Sequence, residues 1–185
     1  MTIHAGHPFA TPEPDRSPLR RWRGRMISPV SVWAAGEGVG RAGWTLSSFV
    51  VADGEPPEVL GLLDEDSALA DRLTSADPER GAALTVNLLG WTHRGLADAF
   101  AGAAPAPGGP FTLGVWETTA WGPVLADAPG WLGVRLAGEP QSAGWSLLVR
   151  AAVEHVELGT DPADGMLGYL RGRYRALTLD QGRNR

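Results

Sequence analysis

The sequence predicts a mainly β domain with inserted helices, folded as a small antiparallel barrel. Three observations carry this expectation. Segments rich in β-branched and aromatic residues recur along the chain, each bounded by Gly, Pro or Asp. Two longer stretches change to helical spacing, yet they do not alternate with strands as βαβ units would. A chain of 185 residues is long enough for one domain with an ordinary core, burying about 68–70% of the surface its unfolded form exposes.

In chain order, residues 1–18 are rich in Pro and polar residues without a period and read as an extended arm. Leu19 to Met26 form a short helix in this reading. Pro29–Ala34 and Trp44–Ala52 are strand-like, with a glycine-rich turn from Gly36 to Gly43 between them, which is the pattern of a hairpin. Glu58–Leu63 follows Pro56-Pro57 as a third strand, since proline favours a strand entry. Leu69, Leu73 and Ala76 then take helical spacing, with Asp64, Asp66 or Ser67 as N-cap, and the helix ends before Pro78. Ala83–Leu89 reads as a buried strand. Thr92 caps a second helix through Leu96, Ala99 and Phe100 that stops at Gly102. After a Pro/Gly loop from Ala103 to Pro110, Val115–Thr119, Trp131–Leu136, Trp145–Leu158 and Tyr174–Leu177 are further strands. The expected organisation is an arm (1–18), one domain (19–178) and a C-terminal tail (179–185).

Composition narrows the function classes. With no cysteine there is no disulfide framework, thiolate nucleophile or Cys-ligated metal, and a reducing cytoplasm fits. The first thirty residues hold five arginines and no apolar stretch of signal-peptide length, so secretion is not expected. No apolar segment approaches the roughly 20 residues of a membrane span. A net charge of −5 with scattered arginines argues against nucleic acid, whose affinity comes from neutralising phosphates over a basic face. All 16 basic residues are arginine, for which the sequence offers no structural account.

Several motifs can be set aside on mechanism. Gly38, Gly40 and Gly43 have the G-x-G-x-x-G spacing, but a strand pattern follows them where a dinucleotide fold needs a helix N-terminus. Gly144-Trp145-Ser146 lacks the closing glycine of a nucleophile elbow. The histidines, His4, His7, His93 and His155, have no metalloprotease spacing, so neither a metal site nor a catalytic group is assigned. His155 reads as a structural histidine. Of the eight tryptophans, most are expected in the core or a subunit interface and at most one or two at a ligand. Thr45, Ser47 and Ser48 place three hydroxyls within four residues of a hydrophobic strand, and together with a helix beginning near Ser67 they would suit a phosphate.

Gly43-Trp44-Thr45-Leu46-Ser47-Ser48-Phe49, followed by Glu55-Pro56-Pro57-Glu58-Val59, Leu62-Leu63-Asp64 and Ser67, resembles the flavin reductase-like family of FMN-binding split barrels. Val86-Asn87-Leu88-Leu89, Leu96 to Gly102, Gly122-Pro123-Val124-Leu125 and Arg171-Gly172-Arg173-Tyr174-Arg175 are similar to later family landmarks, in order. The resemblance spans about Leu19 to Leu177. It implies a six-stranded antiparallel Greek-key split barrel of the FMN-binding type, a homodimer, with FMN or FAD near the subunit interface and NADH or NADPH as hydride donor. It also implies that reduced flavin can pass to a separate monooxygenase.

By position, the resemblance implies that Thr45, Leu46, Ser47 and Ser48 line the flavin ring edge and ribityl-phosphate chain. Leu63, Asp64, Ser67 and Ala68 form the second wall, and Trp145, Ser146, Arg173 and Tyr174 lie toward the nicotinamide or the partner subunit. The chain departs from the family in three places. Asp64-Glu65-Asp66 stands where polar or basic residues are usual, Gly144-Trp145-Ser146 replaces Gly-Asp-His, and Leu46 replaces a small Ala. Those departures motivate a second reading, a flavin- or small-ligand-binding barrel without NAD(P)H activity.

Overall fold

Ser17 caps the first helix: its hydroxyl accepts the Arg20 N–H, Pro18 occupies the first turn, and α1 runs over Pro18–Arg23. The computed structural model describes residues 17–77 and 81–178. Most of the expected arm and the tail from 179 lie outside the described residues.

Thirteen strands and three α-helices follow from the local sequence among the described residues. β1 (Ser28–Pro29) is a short lead-in, and β2 (Ser31–Ala35) is buried on both faces. β3 (Ala42–Leu46) returns along β2 after a 3-10 turn at Gly38–Gly40. β4 (Phe49–Ala52) and β5 (Glu58–Asp64) form the next hairpin. The helix α2 (Ala68–Thr74) leads to β6 (Ala83–Leu88), and α3 (Arg94–Phe100) to β7 (Trp116–Thr118) and β8 (Pro123–Leu125). β9 (Gly130–Leu136), β10 (Gln141–Ala143) and the long β11 (Ser146–Leu158) come next, and β12 (Met166–Leu170) and β13 (Arg173–Leu177) close the chain.

The main sheet is antiparallel, in the order β3-β2-β6-β9-β11-β5-β4, with β10 folded back on β11. It curls on itself. β5 and β2 are far apart in this order, yet a methyl group added to Gly61 on β5 would stand 2.6 Å from the Trp33 indole on β2 and 3.0 Å from Leu46 on β3. The concave side holds Trp33, Leu46, Leu63, Leu84 and Val134, joined by Leu69, Ala70 and Leu73 of α2. Each such fully buried aliphatic side chain contributes about 1.5–3 kcal/mol.

The period of two along β2 explains its double burial: Trp33 and Ala35 face the curl, while Val32 and Ala34 face a second core with Leu96, Phe100 and Leu125. In that second layer lie α3 and the two smaller sheets, β1-β12-β13 and β7-β8. Buried Asn87 fastens it to the sheet. Its amide donates to Val32 O at 3.2 Å and its carbonyl accepts the Leu125 N–H at 3.0 Å, so a polar group inside the core is satisfied.

Several expectations are corrected. The single strand Trp44–Ala52 is two, broken at Ser47–Ser48, because β3 pairs with β2 and β4 with β5, at opposite ends of the sheet. Thr92 is not a cap: Trp91–His93 form a 3-10 turn in which His93 Nδ1 accepts the Gly90 N–H, and α3 begins at Arg94. α1 also ends at Arg23, short of Met26. The curled sheet holds eight strands among the described residues, the short β10 included. Ser67 is the α2 cap from the three candidates. No described helix is long and apolar enough to cross a membrane.

Two predictions follow from the packing. Gly61→Ala should lower unfolding free energy by about 1–3 kcal/mol in urea, since the indole it meets is fully buried and cannot retreat. The second concerns pH. Arg135, at 2.7 Å, and then the Trp121 N–H hold the Glu154 carboxyl below its ordinary value, and Arg150 does the same for Glu58. A depressed carboxylate stabilises the fold above the ordinary carboxylate value, and that contribution disappears as pH falls through the lowered one. The urea midpoint should therefore drop as pH is taken from 5 toward 3, with a smaller drop in Glu154→Gln.

Candidate ligand site

β3 ends the sheet. One side pairs with β2 and, among the described residues, no strand pairs with the other, so alternate backbone N–H and C=O groups of Ala42–Leu46 face outward. α3 packs on one flank of this edge, where the Thr45 hydroxyl donates to Ala97 O at 2.8 Å, and α2 packs on the other. The result is a polar backbone edge between two helices.

Where β3 stops, Ser47 and Ser48 turn the chain into β4. Both are half-buried, and neither hydroxyl has a hydrogen-bond partner among the described residues. The Leu62 N–H donates to Ser48 O at 2.9 Å, which brings the end of β5 beside this turn. Asp64 closes β5 and pairs in register with Ser146, the first residue of β11, so the hairpin tip at Gly144-Trp145 adjoins the acidic turn. Trp145 is 90% exposed there. Ser47, Ser48, Asp64, Ser67, Ala68, Trp145 and Ser146 therefore share one end of the curled sheet.

The acidic turn is built from its own side chains. Asp64 Oδ1 accepts the Asp66 N–H at 3.0 Å, and Ser67 donates to Asp64 O at 2.7 Å while accepting the Ala70 N–H at 3.1 Å. The Ser67 hydroxyl is thereby committed to helix α2, and the three carboxylates are exposed. Leu46 and Leu63 are 2% and 0% exposed, so their side chains belong to the core and only their backbone can meet a ligand. Of the four hydroxyls expected at the site, Thr45 and Ser67 hold the fold together and Ser47 and Ser48 are free.

Arg173 and Tyr174 lie apart, on the β12-β13 hairpin beyond α3. Burial, and then the nearby Asp98 carboxylate, push the Tyr174 phenol far up, so it stays protonated, and its ring packs against the second core beside α3. The exposed Arg173 reaches no described acid. The two described histidines serve structure. His93 Nε2 sits 3.1 Å from Asp127 Oδ2, and the His155 ring stacks on Trp121 at 5.1 Å and tilts against Trp131 at 4.6 Å.

Sequence reasoning did not single out an open groove of about 940 Å³ along α2, reached at Ala68 and walled by the β2–β3 turn and Trp121. Its residues come from four separate segments with no shared motif, and only the sheet's curl assembles them.

The fold and the β3 edge define a class: a curled antiparallel domain with an open strand edge between two helices. The family model for the flavin reductase like domain matches residues 23–178, and the chain belongs to that family. Among solved structures it is similar to the NADH:FAD oxidoreductase SgcE6 of Streptomyces globisporus C-1027, at 25% identity and TM-score 0.74, covering 92% of this chain and 98% of that one. It is also similar in fold to the styrene monooxygenase flavin reductase of Pseudomonas putida S12, at 22% identity and TM-score 0.72, covering 89% and 99%. BorF, the flavin reductase component of a bacterial two-component tryptophan halogenase, matches at 22% identity and TM-score 0.71, covering 88% and 98%. No curated protein matches the chain.

The division of hydroxyls is testable without any ligand. Ser67→Ala should cost about 1 kcal/mol of stability through the lost cap, and Thr45→Val a similar amount through its buried bond. Ser47→Ala and Ser48→Ala should leave the thermal midpoint within a degree or so, read by calorimetry.

Proposed function

We propose that the chain is a flavin-dependent oxidoreductase of the NAD(P)H:flavin reductase type. In this reading it works in the cytoplasm as a homodimer whose split barrel has a six-stranded Greek-key core. FMN or FAD takes the hydride of NADH or NADPH, and reduced flavin passes to a separate monooxygenase. The observation that carries the reading is the unpaired β3 edge leading into the free hydroxyls of Ser47 and Ser48.

The residues fit a flavin on chemical grounds. An isoalloxazine rim alternates hydrogen-bond donors and acceptors, as an open strand edge does, and serine hydroxyls serve the polar ribityl-phosphate chain. When bound, flavin supplies the two-electron acceptor for the hydride. The protein's part is to bind and orient: β3 fixes the ring edge, and the flanking helices set the height of the slot. Tyr174 packs against α3 and releases no proton at neutral pH.

Asp64 to Asp66 turn toward solvent and into their own turn, which leaves phosphate binding to Ser47, Ser48 and backbone groups. The large indole of Trp145 stands at the tip, and it favours the second reading, a flavin-binding barrel without NAD(P)H turnover, to the extent that it blocks a second ring. Titrating the protein with FMN and FAD and then following NADH oxidation at 340 nm separates the two. The reductase reading expects flavin binding, NADH oxidation above the protein-free rate, and about tenfold weaker flavin binding in Ser48→Ala at unchanged melting temperature. Flavin retained without NADH or NADPH oxidation would leave the binding barrel; retention of neither FMN nor FAD would overturn both.

A further inference from the structure

Basic charge collects beyond α3, away from the open strand edge. Arg20, Arg21 and Arg23 stand on α1 and Arg25 just past its end, all exposed. The Arg171 N–H donates to Gly24 O at 2.8 Å, which sets the β12-β13 turn against the end of α1 and brings exposed Arg171 beside them. Side chains alternate along β13: Tyr174 packs into the second core, so exposed Arg173 and Arg175 point the other way. Seven of the chain's 16 arginines thus share one surface, in a protein of net charge −5. None of the seven has a carboxylate within ion-pair distance among the described residues.

Two further features mark this surface. α1 buries none of its residues, and Leu19 and Trp22, three positions apart on one face of it, are 75% and 62% exposed. The second feature is Arg171 itself. Leu170 pairs with Arg173, which leaves Arg171-Gly172 as a two-residue turn, and Arg171 takes φ 53°, a left-handed conformation that Gly or Asn adopts with less strain. Strain of this kind persists where a particular side chain is needed in place. Here it sets a guanidinium at the tip of the hairpin, against α1.

Charge and composition together specify what fits. Tryptophan and arginine are residues on which protein interfaces concentrate their binding energy, and both are presented here without cover among the described residues. A long polyanion or a membrane surface would extend past the patch onto the acidic remainder of the chain, whereas a short acidic segment can end where the arginines end. We propose that α1 and the β12-β13 hairpin form a docking surface for an acidic segment of another protein. Its carboxylates lie on the arginines, and one of its apolar side chains lies against Leu19 and Trp22. The surface is apart from the β3 slot, so a docked partner leaves the slot open. It stands without the flavin reading; on that reading, the partner is the enzyme that takes up reduced flavin.

Binding titrations with the full chain test the surface. The probe is a short synthetic peptide of alternating Glu and Leu, run beside its Gln-for-Glu counterpart, oligothymidylate and phosphatidylserine vesicles. The acidic peptide should bind more tightly than the other three, and more weakly as NaCl is raised. Trp22→Ala should weaken it about tenfold, and the combined change Arg20→Ser, Arg21→Ser and Arg23→Ser by at least as much. Arg171→Gly separates docking from folding, because glycine takes φ 53° without strain: it should weaken the peptide about threefold while melting no lower than wild type. FMN titration and NADH oxidation should be the same in all these variants, so failure of docking and failure of the flavin reading are read separately. No binding, equal affinity for the Glu and Gln peptides, or equal affinity in wild type and variants would overturn the proposal. So would tighter binding to oligothymidylate, which gives the surface to nucleic acid, or to the vesicles, which gives it to a membrane. A sedimentation coefficient that falls in the triple arginine variant would assign α1 to a second copy of the chain and overturn the proposal as well.

Discussion

The contact between the Trp33 indole and Gly61 is the constraint from which the rest of the architecture follows. A flat path of seven strands would leave β3 and β4 as distant, exposed edges. Because β5 carries no side chain at Gly61, the indole of β2 can rest on its backbone, and the sheet rolls until Leu46 of β3 reaches the same spot. The roll places the Ser47–Ser48 turn beside the end of β5 and lets α2 cover the interior with Leu69, Ala70 and Leu73. It stops short of pairing β3 with β4, and that incompleteness leaves the β3 edge open between two helices.

The outer layer is organised by polar groups as much as by apolar ones. Asn87 and Thr85 reach from β6 to the backbone of β8, and without them the β7-β8 hairpin would have few specific contacts with the main sheet. Trp121 lies in that hairpin's turn and rests against Gly133 of β9, the register partner of Thr85, so the polar fastening and the aromatic wall share one face of the sheet. The α2 groove is thus a by-product of how the second layer is attached.

Much of the strand pattern was legible because apolar runs and breakers coincide: Ala83–Leu89 against the observed Ala83–Leu88, and Glu58–Leu63 against Glu58–Asp64. The break at Ser47–Ser48 was not, since a run from Trp44 to Ala52 reads as one strand until its two halves are seen to have different partners. β8, β10 and β12 were passed over as independent strands; β10 is three residues long, and its strand character comes from the β11 partner. At the site, the hydroxyls were found as residue types, but which were free depended on Ala97 O and Ala70 N–H, groups supplied by folded helices. The groove carried no local signal, because its walls come from separate segments that meet only when the β2–β3 turn and α2 face each other.

Thr45 of the open strand holds α3 through Ala97 O, and Tyr174 of the β12-β13 hairpin packs into the second core with Ala97 and Phe100 of the same helix. A helix held by a strand on one side and a hairpin on the other has little freedom to tilt. The slot beside β3 is thus set to one width before any ligand enters, and binding there does not draw down the conformational entropy of its walls. The hairpin farthest from the strand edge thereby helps to fix the width of the opening there.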